Sequence, residues 1–395
     1  MFEKVVLRRS DTGSNFTIGE LAEAILFYQN VHLILDYGSL TGLIKTIGMP
    51  DLLSLLSRPN ISAVYCEETL GTRTDNSGVV ESHEFIAFTF SGTQDGGQLT
   101  SRKKRLEFIL ERQGYPKKRA RRLVERFRRL VPIRKLSDDY YVKDGIVNSA
   151  WNDINEPDFI NSSMRAVLAN EIRSEILPAN FSFDVISNKP QFQISTNLDF
   201  DSINIERKLK QSGVGDISPA HFVQNILEAR AGIVLASHYG GDFYTSDIAS
   251  KIIRLKHHEL LKRIGIDKGE LQEFNDIVLD DIPSLRETLN SGNRTFKEFL
   301  LVLDKSEKFR EWTQGVNPDE KLVKAYFRDV TSEGWVSRLP SKGLRYALGS
   351  IATAVEPVSG VIGSVADTLF TEKLLGGWRP SHFIEKKLKP FLESE

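Results

Sequence analysis

"VHLILDYGSLTGLIKTIGMPDLLSLLSRPNISAVYCEE", residues 31–68, carries the alternation that sets the fold class. "VHLILDY" is a short apolar run and reads as a strand. "SLTGLIKTIG" and "MPDLLSLLSR" repeat their leucines and isoleucines at helical spacing, and the β-branched run in "ISAVYCEE" reads as a second strand. Mostly apolar strands separated by helices belong to a partly parallel sheet covered on both faces. Upstream, "FEKVVLR" adds a strand and "IGELAEAILFYQ" a helix. Downstream, "HEFIAFTFSG" adds another strand, and "SGTQDGGQLTS" has the Gly, Ser and Thr content of a flexible connection.

At 395 residues the chain exceeds the size at which one hydrophobic core usually stops growing, so several packed modules are expected. Its apolar fraction of 40% and charged fraction of 27% are those of a globular protein rather than a disordered one. Cys66 is the only cysteine, which excludes an intrachain disulfide framework and a multi-cysteine zinc site and fits a reducing cytosol. Within its β-branched run Cys66 reads as a buried side chain rather than a nucleophile. The N-terminus begins with strand-like alternation instead of a basic region followed by an apolar core, so a cytoplasmic location is expected.

Beyond residue 136, "FSFDVIS" and "QFQISTNL" flank "NKP", a hairpin expected to turn at Asn188 to Pro190. From Ser218 onward the periodicity is helical, with Ser, Thr, Pro or acidic residues at several helix starts and Gly265 and Gly315 as stops. The expected organisation is α+β: a mixed α/β module over 1–95, a basic helical connector over 96–136, a mixed segment with the hairpin over 137–217, and a mainly helical C-terminal domain over 218–395.

The connector is electrically distinct. "SRKKRLEFILERQGYPKKRARRLVERFRRLVPIRKL", residues 101–136, holds fifteen of the 52 Lys and Arg residues against three Glu, a local charge of +12 in a chain of net charge −1. Ala120, Leu123, Val124, Phe127, Leu130 and Val131 recur at helical spacing as an apolar stripe, and most of the cations fall outside it. A shorter helix before it turns Leu106, Ile109 and Leu110 inward; Gly114 can end that helix and Pro116 can open the next. Lys118, Arg119, Arg122, Arg126 and Arg129 are the candidate nucleic-acid contacts, with Arg predominating as bidentate phosphate recognition favours. An anionic membrane surface fits less well, because the stripe lacks Trp. The third reading pairs the cations with the remainder of the chain, whose net charge is −13, internally or across a homo-oligomer.

Three other patterns invite chemistry. "LDFDSINIERKLK" contains Asp199, Asp201, Glu206 and Lys208, the acidic and E-x-K spacing with which metal-dependent nucleases hold a divalent ion and stabilise an attacked phosphate. That chemistry needs E-x-K on a strand, whereas this segment reads as a helix capped by Asp201 or Ser202. "RLKHHELLKR" places His257, His258 and Glu259 on a helix without the i, i+4 histidines of a zinc site, so no metal ligand is expected. "LDYGSL" (Asp36, Tyr37, Gly38) ends a strand where α/β folds often bind ligands, but no Gly-rich phosphate loop follows. Residues 346–370 are weakly polar and rich in small residues; Glu356 and Pro357 divide them into halves too short to span a bilayer, and a buried helical hairpin is the preferred reading over a membrane-active segment.

"IPSLRETLNSGNRTFKEFLLVLDKSEKFREW", followed by "LPSKGLRYALGSI" and "DTLFTEKLLGGWRPSHFIEKKLKPFL" and taken with "NVHLILDYGSL" and "ISTNLDF", resembles a diffuse group of bacterial proteins of unknown function. The resemblance implies a bacterial cytosolic setting among accessory or host-defence genes and supplies no catalytic residue or cofactor. The expectation from the residues is a non-enzymatic interaction protein that contacts nucleic-acid phosphates or an acidic protein partner, with a metal-dependent nuclease and a membrane-active effector as alternatives. No cofactor is named by any motif.

Overall fold

The computed structural model describes residues 3–8, 16–89, 93–94, 97–98, 101–136, 140–172, 180–210, 213–244, 251–253, 255, 284–316, 325–326 and 380–393. The architecture is α+β. Two compact units arise, one drawn from Val5–Phe16 and His32–Ile264 and the other from Met1–Lys4, Thr17–Val31 and Gly265–Glu395.

The larger unit holds a five-stranded sheet in the order β11-β1-β2-β3-β8, formed by β1 (Lys4–Arg8), β2 (Asn30–Leu35), β3 (Ile61–Cys66), β8 (Ile133–Arg134) and β11 (Asp242–Tyr244). β1 pairs parallel with β11 and β3 parallel with β8. β2 and β3 are almost continuously buried, as their apolar runs require. Between them α2 (Tyr37–Ile47) starts on an Asp36 cap, whose carboxylate accepts from the Ser39 N–H and hydroxyl. Asp36 is thus occupied in closing a helix end. Gly48, at φ +79°, breaks the chain between α2 and α3 (Met49–Leu56).

One residue after β3 the chain enters β4 (Glu68–Asp75), which pairs antiparallel with β5 (Ser82–Thr89) from Glu68↔Thr89 to Asp75↔Ser82. β5 then neighbours β10 (Gln191–Thr196), and β10 pairs with β9 (Phe183–Asn188) as the hairpin expected around Pro190. A two-residue ladder joins β6 (Thr93–Gln94) to β7 (Gly97–Gln98) within the stretch read as a flexible connection. The four-stranded sheet packs its aromatic face on α6 (Tyr140–Ile154), α7 (Pro157–Glu171) and α9 (Pro219–Tyr239). Trp151 meets Phe85 edge-on at 5.7 Å and Phe192 at 5.6 Å, and Phe222 meets Phe183 at 6.4 Å. α6 and α9 are tied by Arg230, which donates to both carboxylate oxygens of the buried Asp153.

The smaller unit is helical: α1 (Ile18–Phe27), α10 (Leu285–Asn290), α11 (Phe296–Leu303), α12 (Glu307–Gln314) and a C-terminal helix over 380–393 with a π-turn at Ile384–Leu388. Capping boxes open α1 (Thr17 with Glu20), α10 (Ser284 with Glu287) and α11 (Thr295 with Glu298). α1 and α10 touch where Gly19 lies: a Cβ there would sit 2.5 Å from the Arg286 carbonyl oxygen. Arg286 in turn donates to the buried Glu23 at 2.5 Å.

Strand pairs cross the positions 95, 136 and 217 at which module boundaries are expected. β8, at the end of the basic connector, joins β3; β5 joins β10; and β11, inside the stretch assigned to the helical domain, joins β1. Strand pairing is non-local, so composition shifts along the chain do not mark where a sheet ends. Residues 257–259, 265 and 346–370 lie outside the described residues.

Candidate nucleic-acid interface

α4 (Arg102–Arg112) and α5 (Lys117–Leu130) form the basic helical pair. Gly114 at φ +85° ends α4, with the Tyr115 N–H bonded back to the Leu110 carbonyl, and Pro116 caps α5. The turn is pinned from outside: the Tyr115 hydroxyl accepts from the Met49 N–H at 2.9 Å, satisfying an otherwise orphan donor at the start of α3. The apolar stripe docks as expected. Ala120, Val124, Phe127 and Val131 are buried, Leu123 and Leu130 half-buried, and Phe127 meets Tyr65 of β3 edge-on at 5.9 Å. Leu106, Ile109 and Leu110 of α4 are buried too.

Two populations stand out among the cations. On α4, Arg105 grips the buried Glu67 with Nε to Oε1 at 3.0 Å and Nη2 to Oε2 at 2.5 Å, and Arg102 Nε reaches Oε2 at 3.0 Å. That bidentate grip holds the Arg105 guanidinium above its ordinary pKa. Beside it, burial first and the Glu67 and Asp36 carboxylates next push the Tyr65 phenol far up, so it stays neutral. Along the flank of α5 that meets α4, Lys103 bonds Glu125, Arg128 lies 3.7 Å from Glu125, and Arg121 lies 3.7 Å from Glu107. The Lys103 ammonium lowers the Glu125 pKa, so this flank carries its own counter-charge.

Lys118, Arg119, Arg122, Arg126 and Arg129 form the second population. All five are exposed, and none makes an ion pair with a carboxylate among the described residues. At about 100° per residue they fall within an arc of about 100°, opposite the buried stripe. Arg119 is additionally steadied over the Tyr115 ring at 5.5 Å. The sequence singled out these five; it could not reveal Glu67, Glu107 and Tyr115 as the residues that sort spent cations from free ones. Glu67 lies 35 residues before Arg102, and only the docking of α4 beside β3 joins them.

Asp199, Asp201, Glu206 and Lys208 are not brought together as a metal cradle. They lie at the start of and along α8 (Phe200–Lys210), where Glu206 and Lys208 are separated by about 200° around the axis. Asp199, rather than Asp201 or Ser202, closes the helix: it accepts from the Asp201 and Ser202 N–H groups and from the Ser202 hydroxyl, which holds its carboxyl below the usual range. Lys208 bonds Asp216 at 2.6 Å. Among the described residues no group of three or more His, Cys, Asp or Glu is placed to hold a metal ion, and no helix is long and apolar enough to cross a membrane. Cys66 is buried, and burial raises its thiol pKa to about 11, away from thiolate chemistry at neutral pH.

Comparison with protein-family models, with curated proteins and with solved structures finds no match to this chain.

Proposed function

We propose that this chain is a nucleic-acid-binding protein that contacts the phosphate backbone through the outer face of α5, in the bacterial, accessory or host-defence setting implied by its sequence resemblance. One observation carries the reading: five exposed cations on one arc of a firmly docked helix make no ion pair with a carboxylate among the described residues, while Arg102, Lys103 and Arg105 of α4 do. An unpaired guanidinium cluster is matched by an anion with many regularly spaced charges, and binding to it releases condensed counterions. The exposed face consists of Lys and Arg interrupted by the half-buried Glu125, so phosphate contact is expected to supply most of the affinity.

The test is binding of labelled nucleic acid to the full chain and to a variant with Arg119, Arg122, Arg126 and Arg129 all changed to Glu. Expected is a loss of roughly a hundredfold or more in affinity with an unchanged thermal midpoint, since surface substitutions of this kind shift stability little. Equal binding by the still-folded variant would refute the assignment. Failure of the wild type to bind nucleic acid, with charge-dependent capture of an acidic protein instead, would transfer the face to the acidic-partner reading.

A further inference from the structure

We infer that the partner of this face is B-form duplex DNA, with α5 lying along its major groove. The inference rests on the phosphate-binding reading and goes beyond it by naming the form of the nucleic acid and the groove. Going around α5 at about 100° per residue, the exposed positions run from Lys117, Arg128 and Arg121 on one flank, past the half-buried Glu125, through Lys118, Arg129 and Arg122 at the crest, to Arg126 and Arg119 on the other flank. About 200° of the circumference therefore faces solvent, and both flanks are cationic.

That distribution matches a helix with a phosphate chain on either side. A major groove about 12 Å wide admits a helix of about 10–12 Å diameter, and the 14 residues of α5 give it a length of about 21 Å. The flank cations are suited to the two backbones. On the near flank, the 3.7 Å separations of Arg121 and Arg128 from their carboxylates exceed hydrogen-bond length, so the guanidinium donors are still available. The crest is suited to base edges, where Arg122 and Arg129 can each address the O6 and N7 acceptors of a guanine.

Two other nucleic-acid forms fit less well. A-form RNA duplexes have a deep, narrow major groove that side chains cannot read. Single-strand binders combine a cationic groove with aromatic platforms, whereas the only aromatic residue of α5, Phe127, is 1% exposed and faces the core. Docking is also rigid. The Tyr115 bond to α3, the Lys103–Glu125 pair and the Phe127–Tyr65 contact hold the helix before any ligand arrives.

The experiment compares, at one low salt concentration, binding of the full chain to a short DNA duplex, the RNA duplex of the same sequence and the separated DNA strand. It adds dimethyl sulfate protection of guanine N7 in the bound DNA, with and without Arg122→Gln. Expected is a preference of about tenfold or more for the DNA duplex, with N7 protection that weakens in the Arg122→Gln protein. Equal or tighter binding of the RNA duplex or the single strand, or fully reactive N7 atoms in the saturated complex, would overturn the major-groove assignment while leaving phosphate binding in place. No binding to any of the three would refute both.

Discussion

The α4–α5 pair places the same residue types in two settings. Arg102 and Arg105 turn towards the core and spend their charge on Glu67, whereas Arg119, Arg122 and Arg126 stand in solvent without an ion pair to a carboxylate among the described residues. The difference lies in what each helix docks against. α4 delivers its first turn to a carboxylate at the end of β3, and α5 delivers an apolar stripe to the core and so turns its cations outward. A run of like charges is therefore not one functional object; tertiary docking sorts it into a structural clamp and a free face.

The comparison can be broken most severely at the clamp. Glu67→Ala leaves two guanidinium groups partly buried without their partner and should cost about 2–3 kcal/mol of unfolding free energy in urea, after allowing for the partial exposure of Arg102. A change below about 0.5 kcal/mol, the range of ordinary surface substitutions, would show that α4 is not held there. The free face should respond in the opposite sense: Arg119→Gln or Arg126→Gln should each weaken nucleic-acid binding by about 1 kcal/mol, lower the salt slope by about one unit and leave stability within about 0.5 kcal/mol.

Removing the counter-charge sharpens the contrast further. Glu125→Gln releases Lys103 and Arg128 and should tighten binding about two- to threefold for a small stability change, since exposed pairs contribute little. Unaltered or weakened binding would show that the near flank does not approach the ligand. The smallest effect expected is none: arginine does not titrate in the physiological range, so affinity at fixed salt should stay flat between about pH 6 and 8. A marked fall with rising pH would point to a titrating contact outside α5.

Much of this helix pair was legible along the chain. The stripe from Ala120 to Val131, the stop at Gly114 and the opening Pro116 are local signals, and the structure realises each. So is the hairpin across Pro190, whereas β4, β8 and β11 carry no strand signal of their own. "ETLGTRTD" in β4 has too few apolar residues to announce a strand, and β8 and β11 are two and three residues long, visible only through their partners β3 and β1. α8 shows the converse. Its carboxylates and lysine have a chemical spacing in sequence, but a helix turns Glu206 and Lys208 apart, and Asp199 is consumed by capping. Local periodicity survives folding, whereas the pairing of charges depends on contacts that residue order does not express.

The most direct measurement is the slope of log K against log salt for duplex DNA binding to the full chain. Neutralisation of about five phosphates by the exposed cations of α5 predicts a slope of about −4.5, a fall of roughly 500-fold between about 50 and 200 mM salt. The protein with Arg119, Arg122, Arg126 and Arg129 changed to Glu should retain a slope near zero, or no measurable binding. Wild-type binding with a shallow slope, or a steep slope preserved in that variant, would contradict the assignment of the outer face of α5 to phosphate.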